Sequence, residues 1–339
     1  MSQIVYNNFS KGIILLPTAG LGNRFRIMAC AYVLAKFYKR DLYIQWSPSN
    51  DCSIEITKLF TGPFTIVDSN FIKDKNYLFF GNVHSENFIN ECFTSDKYNN
   101  KDYLVITGGH DFKHRDIPYD FFYRYKSKFY RELIYSPIVT ELLGRYKNRF
   151  PNEYIAIHYR DIIPKYDNAD INNPKFNGKE YNPVNFTYNS PIESFEPYIE
   201  KIDPYIPIYV SSNTNRCINY LRKIFPNRNF FISGVDVTNV QRDNDNDLIN
   251  SFVEMILLSR SKMIIGTYFS SFSDEASFFQ LITKVTPINE QLLNSKDSLT
   301  QSMIMNYHCY GFENITYRKN TIYGLNLNCN YSLGEYIKF

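Results

Sequence analysis

No run of about eighteen apolar residues occurs in the chain, so there is no candidate for a membrane-spanning helix. The stretch from Met1 to Asn7 lacks the charged segment and long apolar stretch of an export signal. A soluble, cytoplasmic protein is therefore expected. Charge of one sign is also scarce: 37 basic and 34 acidic residues give a formal +3, with no stripe of lysine and arginine. Nucleic acid is thus not an expected partner. The six cysteines, at 30, 52, 92, 217, 309 and 329, show no CxxC spacing. Several sit in apolar helical patterns, where a free thiol packs as a small hydrophobe, and a reducing compartment fits them. Of five histidines, only His110 and His114 form a close pair, and Gly108, Gly109 and Pro118 flank it. Those neighbours disfavour the helix that an i, i+4 zinc pair needs, so a surface loop and no metal are expected there.

A complete dinucleotide fingerprint is missing too. Gly12 to Pro17 reads as a strand, and a helix follows that carries Phe25, Met28, Ala29, Tyr32, Val33 and Ala35. Leu42 to Trp46 reads as the next strand. The turn between the first strand and the helix, Thr18 to Arg24, has Gly20-x-Gly22, but Phe25 stands where a third glycine belongs. No acid closes the second strand to hold a ribose, which argues against a nicotinamide or flavin enzyme. The turn can still admit a ligand close to its backbone; a plain helix-entry loop is the alternative.

At 339 residues the chain accommodates two domains with their own cores. They are placed at 1–145 and 146–290, with a polar, tyrosine-rich C-terminal extension over 291–339. Residues 51–120 show only weak strands such as Tyr103 to Thr107, and mostly irregular structure is expected. Phe121 to Phe150 looks helical, broken at Pro137. Lys165 to Tyr188 is dense in loop-favouring residues, read either as a lid or acceptor-binding segment or as plain disorder. The 29 tyrosines and 28 phenylalanines mostly supply cores, though some could stack on sugar faces.

The chemistry gathers at three predicted strand ends. Tyr154 to Ile157 reads as a buried strand that delivers His158 and Arg160 to its carboxyl end. Pro207 to Val210 delivers Ser211, Ser212 and Asn213, and Lys262 to Gly266 leads to Ser270, Ser271, Phe272 and Ser273. Helical patterns alternate with these strands: Cys217, Ile218, Leu221 and Ile224 in one, Leu248, Phe252, Met255 and Ile256 in another. Such alternation implies a parallel sheet with right-handed crossovers, which brings all three ends to one edge, where open α/β sheets bind ligands. Arg160 then reads as an anion handle; an ion pair with Asp161 is the alternative. The serines open a helix whose N-terminus can seat a phosphate, although they can equally be an ordinary cap.

With these motifs in this order, the chain resembles the superfamily of GDP-fucose-dependent fucosyltransferases: core α1,6-, nodulation-type, α1,2- and protein O-fucosyltransferases. The likeness is greatest over Glu254 to Ser273, with Gly20 to Arg24 similar to the family's glycine loop and Ile155 to Arg160 to its first motif. The resemblance implies an α/β GT-B fold, two Rossmann-like domains facing a cleft, with an acceptor-side N-terminal domain and the nucleotide sugar held mainly by the C-terminal one. It implies an inverting transfer of fucose from GDP-fucose to a glycan or other hydroxyl acceptor, with no metal and no further cofactor. Arg160 would bind the β-phosphate, His158 and Glu254 would read guanine, and Ser270, Ser271 and Phe272 would contact phosphate. Gly22 and Asn23 would approach the sugar.

Two departures stand out. Asp161 follows Arg160 where some relatives carry a second arginine, so that cation is either missing or supplied by Arg24 or Lys165. Asn213 stands where the second motif often has an aspartate. A base for the acceptor is not settled by the sequence; Asp161, Asp167 and Asp170 are candidates, Asp161 first. Asp243 to Asp247 imitates a metal-binding DxD, but it reads as a helix cap ahead of Leu248. A non-catalytic nucleotide- or glycan-binding protein on the same scaffold, or a transferase using another nucleotide sugar, are the alternatives.

Overall fold

The computed structural model describes residues 10–81, 92, 93, 98, 100–161, 185–234 and 243–289. The chain forms two compact units, one of Met1–Leu143 with Gln241–Phe252, the other of Gly144–Val240 with Val253–Phe339. The expected division near 145 carries no such return crossing; the structure passes residues 241–252 back to the first unit.

The first unit is built on a five-stranded parallel sheet in the order β4-β2-β1-β6-β5. Its strands are β1 (Gly12–Pro17), β2 (Leu42–Ile44), β4 (Thr65–Ile66), β5 (Tyr77–Phe80) and β6 (Tyr103–Gly108). β1 lies between β2 and β6, and Ile13, Ile14 and Leu15 are fully buried, as a central strand with both faces covered requires. Helix α1 (Leu21–Tyr38) is buried on nearly every side, which explains why its pattern is apolar all round. Phe25, at the missing third glycine, is a core side chain: its ring stacks on Phe252 at 5.1 Å and lies 5.1 Å from Phe60.

One expectation fails here and another holds, each for a physical reason. Residues 51–120 contain the edge strand β5, which is hidden in the sequence because Tyr77 and Phe79 remain exposed and blur its pattern. The helical stretch from 121 to 150 is broken at Pro137 as expected, and the proline itself starts the second helix. α2 (Tyr119–Arg131) ends first, and β7 (Ile134–Tyr135) pairs antiparallel with β3 (Phe60–Thr61). α3 (Pro137–Lys147) then opens on its proline, where the missing N–H costs nothing, with the Ser136 hydroxyl accepting from Val139 N–H at 3.4 Å.

His114 is not on a surface loop. It is fully buried, 2.9 Å from the Tyr38 hydroxyl through Nδ1, with its ring edge-on to Tyr38 and Phe93. Among the described residues no group of three or more His, Cys, Asp or Glu could hold a metal ion. Cys30, Cys52, Cys92 and Cys217 are buried free thiols. Among the described residues, too, no helix is long and apolar enough to cross a membrane.

The second unit has a parallel sheet in the order β10-β9-β8-β11-β12. Its strands are β8 (Ile155–Tyr159), β9 (Ile208–Ser212), β10 (Phe230–Phe231), β11 (Met263–Gly266) and β12 (Thr283–Val285). Between β8 and β9 come α4 (Phe186–Asn189) and α5 (Glu196–Lys201), and α6 (Arg216–Ile224) connects β9 to β10. α7 (Asp245–Ser259) precedes β11 and α8 (Ser271–Phe278) follows it. Asp243 to Asp247 is the start of α7, where Asn244 Oδ1 accepts from Asn246 N–H at 2.9 Å and Asp245 pairs with Lys58. Ile155, Ile157 and Tyr159 enter a core with Ile208, Val210, Leu221, Ile265 and Val285. The two-residue strand period therefore sends Ala156 and His158 to the opposite face.

Gly266 is a close-approach glycine. A Cβ there would lie 2.7 Å from both Lys284 Cε and Ser273 Oγ. Gly266→Ala is expected to cost about 1–3 kcal/mol through overpacking, read as a lower urea midpoint with an unchanged slope.

Candidate functional site

In the second unit the chain runs outward from β8 through β9 to β10, then returns to the other side of β8 as β11 and β12. The switch point therefore lies between β8 and β11, where neighbouring crossovers diverge and leave a crevice at the strands' carboxyl ends. His158 is in register with Gly266 on one side and Ser211 on the other, so all three predicted strand ends do share this edge.

His158 is 6% exposed and stacks on Phe272 at 5.1 Å and 23°. Burial, with the positive charges of Lys284 and Arg160, pushes its pKa down from 6.5 to about 3, so the ring is neutral. Its Nδ1 is buried and meets no hydrogen-bond partner among the described residues. A neutral imidazole with an unanswered nitrogen can bind a ligand polar group but adds no charge.

The turn from β11 into α8 is tied to β8 by Thr267, whose N–H and hydroxyl both donate to the His158 carbonyl, at 3.0 and 3.2 Å. Tyr268 N–H donates to Ser190 Oγ at 2.8 Å. Phe269 then takes φ 61°, a strained conformation for a bulky residue that is held by these anchors. Ser270 is the N-cap of α8, yet its hydroxyl caps nothing: Oγ is buried without a partner among the described residues. The expectation that the serines cap the helix through their side chains is thus corrected for Ser270. What the turn offers is a buried hydroxyl and the unpaired first N–H groups of a helix.

Arg160 is half-buried, with its guanidinium 4.5 Å over the Phe186 ring and its backbone N–H donating to Thr267 Oγ1 at 2.9 Å. Asp161, 8% exposed, has a different set of partners. Its carboxylate accepts from Thr187 Oγ1 at 3.1 Å and Thr214 Oγ1 at 3.0 Å, and pairs with Arg216 at 3.3 Å. Its backbone forms a two-way bond with the Asn213 amide: N–H to Oδ1 at 2.7 Å, and Nδ2 to the carbonyl at 2.8 Å. The two departures from the family pattern are one clamp between the ends of β8 and β9. Both oxygens of the Asp161 carboxylate are thus engaged within the clamp, by two hydroxyls and a guanidinium.

Glu254, on α7, accepts from Ser211 Oγ at 2.7 Å and Ser233 Oγ at 2.5 Å. Burial pushes its carboxyl up and these hydroxyls pull it back. It lines a depression with Val210, Ser212, Thr214, Ile218 and Ser233. Each carboxylate oxygen keeps a further lone pair for a donor in that depression. Ser233 was not foreseen; it follows the two-residue strand β10, too short to show a period. Lys284, 2% exposed and paired with Asp274 of the first turn of α8, was missed because a lysine in a strand reads as a solvent-facing residue.

In the first unit, the switch point lies between β1 and β6. Asn23 is there: a Cβ on Gly109 would meet Asn23 Cβ at 3.0 Å. Gly20 has an ordinary φ of −70°, and Ala19, at φ 65°, takes the left-handed step instead. Gly22 is buried inside α1. Arg24 is locked away, with its guanidinium donating to Ala19 O, Ser47 O and Ser49 Oγ and lying 4.5 Å over Trp46. It is unsuited to be a second phosphate cation. Lys165, Asp167 and Asp170 lie outside the described residues.

No protein-family model matches the chain, and no curated protein is similar to it in sequence. Solved structures are similar to it in fold. A mutant of Arabidopsis thaliana FUT1 in complex with GDP matches at a TM-score of 0.53 and 13% identity, over 81% of this chain and 70% of that one. Fucosyltransferase NodZ from Bradyrhizobium matches at 0.51 and 12%, over 81% and 96%. NodZ α-1,6-fucosyltransferase co-crystallised with GDP matches at 0.50 and 12%, over 81% and 94%. The fold is therefore the α/β one of these fucosyltransferases, the GT-B class of two Rossmann-like units.

Because the unfolded chain binds a proton at His158 that the folded chain refuses, stability is complete above pH 6.5 and falls as pH drops toward 3. The slope from this group approaches about 1.4 kcal/mol per pH unit, while the raised Glu254 acts in the opposite sense. His158→Asn is expected to flatten the acid limb of the melting temperature against pH relative to the parent.

Proposed function

We propose that this chain is a glycosyltransferase that binds GDP-fucose at the β8–β11 switch point and transfers fucose, with inversion and without a metal, to a hydroxyl acceptor. The observation that carries this reading is that two buried polar atoms without a partner among the described residues, His158 Nδ1 and Ser270 Oγ, lie at the strand edge that also carries Arg160 and opens α8. A diphosphate supplies the anion that Arg160 and the helix terminus favour. The Glu254 depression suits a base with adjacent N–H donors, as guanine has. Ser271 and Phe272 supply backbone N–H groups at the first turn.

In the reaction, the acceptor oxygen forms a bond to the sugar's anomeric carbon as the bond from that carbon to the β-phosphate oxygen breaks. Arg160 stabilises the charge that collects on departing GDP. The acceptor hydroxyl releases its proton to solvent as the new bond forms, and Asp161, already engaged by Thr187, Thr214 and Arg216, is not assigned as its acceptor. Asp161 is read as a positioning residue that, through Asn213, holds the β8 end from which Arg160 projects.

A second reading, binding without transfer, draws on the same engagement of Asp161. Any release of fucose from GDP-fucose, even by slow hydrolysis, excludes it.

Calorimetry is expected to show GDP binding in preference to other nucleoside diphosphates; no GDP binding beside binding of another nucleotide removes the donor assignment. Arg160→Ala should weaken GDP by about 1.5–3 kcal/mol, roughly ten- to hundred-fold, and abolish transfer. Asp161→Asn should lower stability by about 1–3 kcal/mol while retaining measurable turnover. Loss of turnover at unchanged stability would restore it as the base.

A further inference from the structure

Lys284 lies on β12 in register with Ile264 of β11, and its side chain is 2% exposed. It reaches Asp274, 12% exposed, in the first turn of α8. Gly266 makes room for it, since any Cβ there would strike Lys284 Cε and Ser273 Oγ. Buried ion pairs add little net stability compared with apolar side chains of similar size, so stability alone is a weak reason for this arrangement. Position supplies a better one. Asp274 is three residues after the helix's first residue, close to where an anion would meet the helix N-terminus. A bare carboxylate there favours the helix dipole but repels an incoming diphosphate. The buried Ser270 Oγ and His158 Nδ1 mark the same turn as a ligand seat independently of the helix end.

We propose that Lys284 is a positioning residue for anion binding: it neutralises Asp274 and so keeps the Ser270–Phe272 turn receptive to a diphosphate. The charge of Lys284 is felt at His158, which places the pair within electrostatic reach of the seat. The inference rests on the diphosphate reading of the site.

The test compares the parent chain with Lys284→Met, Asp274→Asn and the double variant, each titrated calorimetrically with GDP and with inorganic pyrophosphate at low and high salt. The Lys284→Met chain is expected to bind both ligands about tenfold or more weakly, with the deficit shrinking in high salt as screening grows. Asp274→Asn should bind at least as tightly as the parent, and the double variant should return to within a few-fold of it. A purely structural pair gives the opposite result: both single variants and the double lose affinity together, which overturns the proposal. Unchanged binding by Lys284→Met overturns it too. If Lys284→Met fails to fold, Asp274→Asn and the double variant decide, because neither keeps the buried carboxylate after losing its lysine. A parent chain that binds neither ligand removes the donor reading, and this inference with it. A parent that binds while the variants behave as a structural pair removes this inference alone.

Discussion

A parallel sheet buried on both faces gives its backbone no freedom to carry polar chemistry along its length; the groups must collect at the strand ends. In the second unit, β8 is buried at every residue and flanked by β9 and β11, so its carboxyl end is the place where side chains can leave the core. The order of strands decides which neighbours meet there. Because the chain winds out through β9 and β10 and then returns on the far side as β11, the turn after Gly266 comes to lie beside His158. His158, Arg160, Thr267 and Ser270 are consequences of that one reversal.

Around this edge the polar groups fall into two kinds. Asp161, Asn213, Thr214, Arg216 and Thr187 satisfy one another and join the ends of β8 and β9. Ser270 Oγ and His158 Nδ1 are buried without such partners among the described residues, although burying polar atoms unanswered costs free energy. The contrast separates scaffold from seat more clearly than residue type does, since both groups contain hydroxyls and both neighbour charged side chains. Phe269, in a left-handed conformation between the anchors of Thr267 and Tyr268 and the cap Ser270, belongs to the same pattern of strain held at a binding turn.

Much of this was legible beforehand. The alternation of apolar strands and amphipathic helices over 154–278 announced a parallel sheet, and the polar groups after Ile157, Val210 and Gly266 do lie along one edge of it. Less legible were features that depend on partners far away in the chain. Edge strand β5 hides because half its side chains face solvent. His114 reads as a loop residue until Tyr38 and Phe93 close around it. Asp161 looked like a reactive carboxylate, because nothing in its own neighbourhood reveals that Thr214 and Arg216 reach it from beyond β9.

Residue order alone determined the class of fold, since hydrophobic periodicity and chain connectivity are local properties that the chain carries in any conformation. It also determined which segments would bear the chemistry. Only the tertiary structure decided what each polar side chain is doing there. Whether Arg24 binds a ligand or its own loop, whether Ser270 caps a helix or waits unpaired, and whether Lys284 faces water or a buried Asp274 depend on distances between residues far apart in sequence. Hydrogen bonding and charge neutralisation act over a few ångströms, and those ångströms exist only once the sheet has closed.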